Sequence, residues 1–212
     1  MPAVSGRRAL PYWTGLLAVI GFFFYFAGNG LRAGFFPDCM MNIDGAWHRS
    51  VPRLLLDLVW PGPDAYRPAG ALLYRALYEA FALNPLPYRL LCFALLLANL
   101  LLTGLFTTQL TRARWAGLWA MALFAYHAYF SDLYYSSSTL YDLLCALFAL
   151  AFLSLYLRHR ATPRLWHTPV LVLLLLAAIA SKELGLLLPV CLVILEIAFY
   201  RAWPRLTLRT AL

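Results

Sequence analysis

Apolar runs as long as a bilayer is thick set the terms on which this chain folds. The first, Leu10 to Leu31, reads LPYWTGLLAVIGFFFYFAGNGL and holds no charged residue. At about 1.5 Å of rise per residue, about 20 residues cross a hydrocarbon core of about 30 Å. Pro11 suits the first helical turn, and Tyr12 and Trp13 supply interfacial aromatics. Arg7 and Arg8 precede the run, which puts its start on the cytoplasmic side by the positive-inside rule. The run is too long for a signal-peptide core and lacks a small-x-small cleavage site, so it reads as a retained anchor.

Further runs follow at Leu90 to Leu110, Trp115 to Phe130 and Leu140 to Leu157. Pro169 to Ala180 and Leu184 to Tyr200 are also apolar and are separated by Ser181, Lys182 and Glu183. The fold expected is an all-α polytopic membrane protein with about six transmembrane helices, five being the alternative. It forms one transmembrane domain over 1–212: a first span at 10–31, an external loop at 32–89 and the remaining spans at 90–212. The arginines at 112, 114, 158, 160 and 164 then share the cytoplasmic side with the N-terminus, while all the acidic residues except Glu196 lie on or near the other side.

A chain that is 63% hydrophobic and 12% charged, with mean hydropathy +0.72, is not a soluble domain. Its net charge of +8 comes from arginines that flank the apolar runs, together with one lysine. That distribution suits anionic lipid headgroups and topology setting rather than nucleic acid. Cys39, Cys92, Cys145 and Cys191 have no metal-like spacing. Neither a disulfide framework, a zinc site nor a cofactor is expected.

The long polar interval from Phe35 to Arg67 holds Asp38, Asp44, Asp57 and Asp64. Asp38 and Asp44 follow closely on the first span, so a carboxylate there sits near the membrane surface. It can act as general base toward an acceptor hydroxyl while a lipid-borne donor approaches from the bilayer; the bland alternative is a solvated acidic loop. Within the same external region, Pro68 to Leu83 has apolar residues at helical period with Arg75 and Glu79 at i,i+4, as in an interfacial helix. Arg67, just ahead of it, can grip a phosphate bidentately or anchor the loop to Asp38 or Asp64.

Lys182, the only lysine, and Glu183 interrupt an apolar run. Ionisable groups at membrane depth face a cavity or a partner. Adjacent helical residues do not face one another, so these two need partners elsewhere. Lys182 either holds a phosphate or snorkels at a turn. His127, Asp132 and Asp142 flank the polar turn 131–139; a lone intramembrane histidine usually satisfies a local hydrogen bond, and Asp142 suits a helix cap.

The ordered set FFPDCMMN, YRPAGALLYRALYEAFALNPLPYRLL, AYHAYFSDLYYSSSTLYDLLCALF and ASKELGLLLPVCLVILE resembles the C-type-fold polytopic glycosyltransferases. Within these it is most similar to the bacterial relatives of protein O-mannosyltransferases and of membrane mannosyltransferases with TPR repeats. The resemblance implies a sugar donor on a polyprenyl phosphate, transfer to an acceptor hydroxyl on the non-cytoplasmic side, and a bacterial inner membrane location. It places the catalytic aspartate on Asp38, with Asp44 in reserve, and the phosphate-handling cations on Arg67 and Lys182. Where many relatives carry a second acidic residue, this chain has Cys39. Such enzymes have more spans, so an incomplete module is expected, with a second chain supplying missing spans. The alternative is a truncated, noncatalytic scaffold derived from the family.

Overall fold

The computed structural model describes residues 10–60, 67–127 and 131–200, and among these there is helix but no strand. Helix α1 is Leu10–Gly30, α2 Pro37–Trp47, α3 Val51–Asp57, α4 Pro68–Phe81, α5 Pro85–Thr111 and α6 Arg114–Tyr126. Helix α7 is Ser131–Tyr135, followed by a 3₁₀ turn at Ser137–Thr139, then α8 Leu140–Ala161 and α9 His167–Ser181. A 3₁₀ segment Glu183–Leu187 leads into α10 Leu188–Leu195, which ends in a π-helical turn, Glu196–Tyr200. Arg7, Arg8, Asp64, Phe130 and the basic segment after Tyr200 lie outside the described residues.

Among the described residues, four helical stretches are long and apolar enough to cross a membrane: Pro11–Gly30, Pro85–Thr111, Ser137–Ala161 and Glu183–Tyr200. Helices α6 and α9, with 13 and 15 residues, fall short. They reach only about 20 and 22 Å at 1.5 Å per residue. The described part of 32–89 is mostly helical, and α5 begins at Pro85, five residues before the apolar run suggested, because Pro85 takes the first turn. Asn84 caps that helix by accepting a hydrogen bond from the Leu86 N–H at 3.2 Å.

Between helices in a bilayer, close packing and interhelical hydrogen bonds take over from the hydrophobic effect. Helices α5 and α8 run parallel, joined by the Asn99 side-chain amide donating to the Leu143 carbonyl at 2.9 Å. Farther along, the Gln109 amide, oriented to satisfy both neighbours, donates to the Ser154 carbonyl and accepts from Arg158 Nε. Helices α5 and α6 approach through Gly104 and Gly117, where a Cβ on Gly117 would lie 2.5 Å from the Gly104 carbonyl oxygen. Helix α1 runs parallel to α6, with the Tyr12 and Trp115 rings meeting edge to face at 5.8 Å and Phe22 stacked on Tyr126 at 3.6 Å. The buried core runs through Phe23, Tyr74, Tyr88, Leu96, Leu100 and Leu140.

These contacts give the bundle one end that is net basic and another where acidic and basic residues are mixed. At one lie the turns carrying Arg112, Arg114, Arg158 and Arg164, together with Glu196, which pairs with Arg160 at 2.9 Å and accepts from the Tyr156 hydroxyl at 2.7 Å. All the other described acidic residues, Asp38, Asp44, Asp57, Glu79, Asp132, Asp142 and Glu183, are gathered at the other, among Arg32, Arg49, Arg53, Arg67, Arg75, Arg89 and Lys182. That second end, the acidic end for its carboxylates, is where α2, α3, α4 and α7 cap the bundle.

Candidate active cleft

Helix α2 begins with Pro37 at its first position and Asp38 in its first turn, a place where the helix dipole favours a carboxylate. Successive residues turn by about 100°, so the helix has distinct faces. Cys39, Ile43 and Ala46 are buried against the bundle. Asp38, Asn42 and Gly45 share a neighbouring face, and Arg49 beyond the helix continues it. Asp44 projects on the opposite side, where it is exposed and pairs with His48 at 3.3 Å.

The Asn42 face is one wall of a cleft of about 160 Å³ lined by Asn42, Gly45, Arg49, Arg67, Ala71 and Tyr141 among others. The fit of α2 is set by the 136–138 turn. The Cys39 thiol lies 3.5 Å from the Ser136 hydroxyl, and the Asn42 amide donates to the Ser138 carbonyl at 3.4 Å. From the other side, the fully buried Tyr74 hydroxyl donates to the Ser137 carbonyl. Burial pushes the Cys39 thiol up in pKa, but hydrogen bonds from Ser137, Ser136 and the backbone outweigh it and leave the thiol below its usual range.

Arg67 stands on the opposite wall. Its Nε donates to both oxygens of Glu183, at 3.0 and 3.2 Å, and its guanidinium lies over the Tyr141 ring, 5.5 Å from the centroid. The anchor is therefore Glu183 rather than Asp38. The two terminal amino groups of Arg67 bond to no described residue and Arg67 lines the cleft, so they are open to a carboxylate or phosphate. Lys182, in extended backbone between α9 and the 3₁₀ segment, pairs with Asp142 in the first turn of α8. Asp142 therefore ties α8 to α9 and is not a helix cap.

The structure brings Arg67, Glu183, Lys182 and Asp142 into one cluster of ion pairs; Asp38 is not among the residues that line the adjoining cleft and stands one helical turn before Asn42, which does line it. Asp38 is exposed and pairs with no described residue. His127 ends α6 and Asp132 lies in α7; both are at the same end of the bundle but do not line the cleft. Arg49, Asn42 and Tyr141 were not foreseen from the sequence. Arg49 was legible in principle, since 38, 42, 45 and 49 keep helical phase; Tyr141 was not, because its position depends on how α8 meets α4.

Two larger concavities are apolar. One of about 370 Å³ lies between α1, α5 and α6 near Tyr12 and Arg114, and one of about 300 Å³ lies between α4 and α8. Neither gathers opposed titratable groups. The four cysteines are free, and among the described residues no cluster of three or more His, Cys, Asp or Glu side chains could hold a metal ion. Compared with protein-family models, curated proteins and solved structures, the chain has no significant match to any.

Proposed function

We propose that this chain is the donor-handling part of a membrane glycosyltransferase, moving a sugar from a polyprenyl-phosphate carrier to an acceptor hydroxyl at the acidic end of the bundle. The observation that carries this reading is the free fork of Arg67, held by Glu183 and Tyr141 across the cleft from the α2 face that carries Asp38. Asp38 takes the proton of the acceptor hydroxyl. The oxygen attacks the anomeric carbon, and the bond from that carbon to the phosphate oxygen breaks with its electron pair leaving on the phosphate. Arg67 and Arg49 stabilise the charge that appears there. Lys182 supports the site through Asp142.

In this reading α6 and α9 are shortened crossings, so the bundle makes six passes. The basic turns and the N-terminus face the cytoplasm, and the acidic end faces outward from a bacterial inner membrane. A second chain supplies further walls of the donor cavity. The test is sugar transfer or hydrolysis from radiolabelled polyprenyl-phosphate sugars by the full chain in nanodiscs, alone and with any co-purifying partner. Activity lost in Asp38→Asn and Arg67→Ala with unchanged melting supports the proposal; wild-type protein inert in every preparation overturns it.

A noncatalytic scaffold is the second reading, and one observation favours it: Lys182 is already neutralised by Asp142 within the chain. On that reading Arg67→Ala leaves partner association intact and no donor is consumed.

A further inference from the structure

We propose that α3 and the turn after it, through Trp60, are seated in the lipid leaflet at the acidic end, forming a membrane-contacting surface beside the cleft mouth. Hydrogen bonds from Val59 and Trp60 N–H to the Leu56 carbonyl, at 3.0 and 2.8 Å, carry the helical path of α3 on to Trp60. Along that path Val51, Leu55, Leu58 and Val59 fall on one side. They are exposed, Val59 at 83%, and Trp60, next in the chain, is exposed at 72%. Leu54 and Asp57, facing the other way, are buried.

The one carboxylate on this element, Asp57, is buried and neutralised by arginines, of which Arg53 is itself half-exposed. Asp57 pairs with Arg53 at 3.1 Å and Arg49 at 4.0 Å, so the exposed stripe is apolar without an opposing charge. Its depth follows from its support. Helix α3 packs on α4, and α4 lies along the apolar start of α8, where Leu72, Leu73, Leu144 and Phe148 line a shared groove. Leu144 and Phe148 belong to a bilayer-length helix. Through α4 the α3 stripe is held at the level where that helix begins, the depth at which an aromatic such as Trp60 partitions best. A lipid is the occupant that both this level and the lack of net charge fit. The consequence is positional: Arg49, two residues before α3, lines the cleft from the level of the lipid headgroups.

Nitroxide accessibility tests this directly in the full chain reconstituted in nanodiscs. The label is placed at Val59→Cys in a Cys191→Ser background, the other three cysteines being buried. His48→Cys, on an exposed part of the cap, gives the aqueous reference. The expected result is oxygen collision well above that of a water-soluble nickel chelate at 59, and the reverse at 48. Nickel accessibility at 59 equal to that at 48 overturns the proposal, because the stripe then faces water. Shielding of 59 from both reagents also overturns it, because protein, a second copy or a partner chain, then covers the stripe.

Discussion

Arg67 Nε donates to both carboxylate oxygens of Glu183 at 3.0 and 3.2 Å, joining the start of α4 to the break after α9 across 116 positions of sequence. Both side chains are over a third exposed, so the pair adds little to stability, roughly 0–1 kcal/mol. Arg67→Lys keeps the charge but loses the fork. We expect its melting temperature to stay within a few degrees of the parent while transfer from the lipid donor falls by about 10²-fold. A proportionate loss of stability and activity would instead assign Arg67 a purely structural role.

Lys182 and Asp142 are a coupled pair of a different kind, because Lys182 is the more buried of the two and stands at the end of an apolar helix. Removing either partner leaves the other charge poorly solvated. Asp142→Asn and Lys182→Met are each expected to cost roughly 1–3 kcal/mol. The double variant should recover part of that loss, and a thermodynamic cycle on the purified protein checks it. Simple additivity would show that the two groups do not interact.

The requirement that Lys182 and Glu183 find separate partners was readable from adjacency alone, yet the partners were not. Asp142 and Arg67 lie 40 and 116 residues away, and only the packing of α8 on α9 and of α4 on both selects them. The bilayer-length helices were equally legible, since uninterrupted apolar length needs no tertiary knowledge. The end of α9 at Ser181 was legible as well, since Ser181, Lys182 and Glu183 interrupt the apolar run; the end of α6 at Tyr126 was not, because the apolar run continues past it. The Arg75–Glu79 pair, at 2.6 Å, follows from i,i+4 spacing; the stacking of Arg75 on Trp47 at 4.1 Å does not, since it joins two helices.

Gly104 and Gly117 let α5 and α6 meet backbone to backbone, and a Cβ at Gly117 would also lie 2.0 Å from the Thr108 hydroxyl. Backbone cannot yield as a flexible side chain can. Gly117→Leu is expected to destabilise by about 1–3 kcal/mol or more through overpacking. Gly21→Leu, with nothing within 4 Å of its Cβ, should be nearly neutral. Thermal melts of the two variants in one detergent give the comparison.

Tyr74 gives stability a pH dependence whose sign is fixed. Burial holds its phenol well above the usual tyrosine value, so the folded state keeps the proton more tightly than the unfolded state does. This contribution is whole below about pH 10, the unfolded value, and is lost as pH rises beyond it. Tyr74→Phe should lose about 1 kcal/mol at neutral pH, because the Ser137 carbonyl loses its donor, and should flatten the alkaline fall in stability. Melting curves at pH 7 and across the range above pH 10 measure both effects.

Asp38 and Asp44 are six residues apart on one helix, and helical phase separates them by most of a half turn. Only Asp38 shares the face that continues into Asn42, Gly45 and Arg49; Asp44 pairs with His48 on the far side. If proton removal from the acceptor sets the rate, Asp38→Asn should reduce transfer by about 10²–10⁴-fold. Asp44→Asn should leave it nearly unchanged. Both residues are exposed, so loss of the dipole contact or of the His48 pair should lower the melting temperature by a few degrees at most, and a large loss of activity is then not a loss of fold. The order of the two effects is the decisive measurement: a greater loss in Asp44→Asn would move the reacting carboxylate to the opposite face of α2 and away from Arg67.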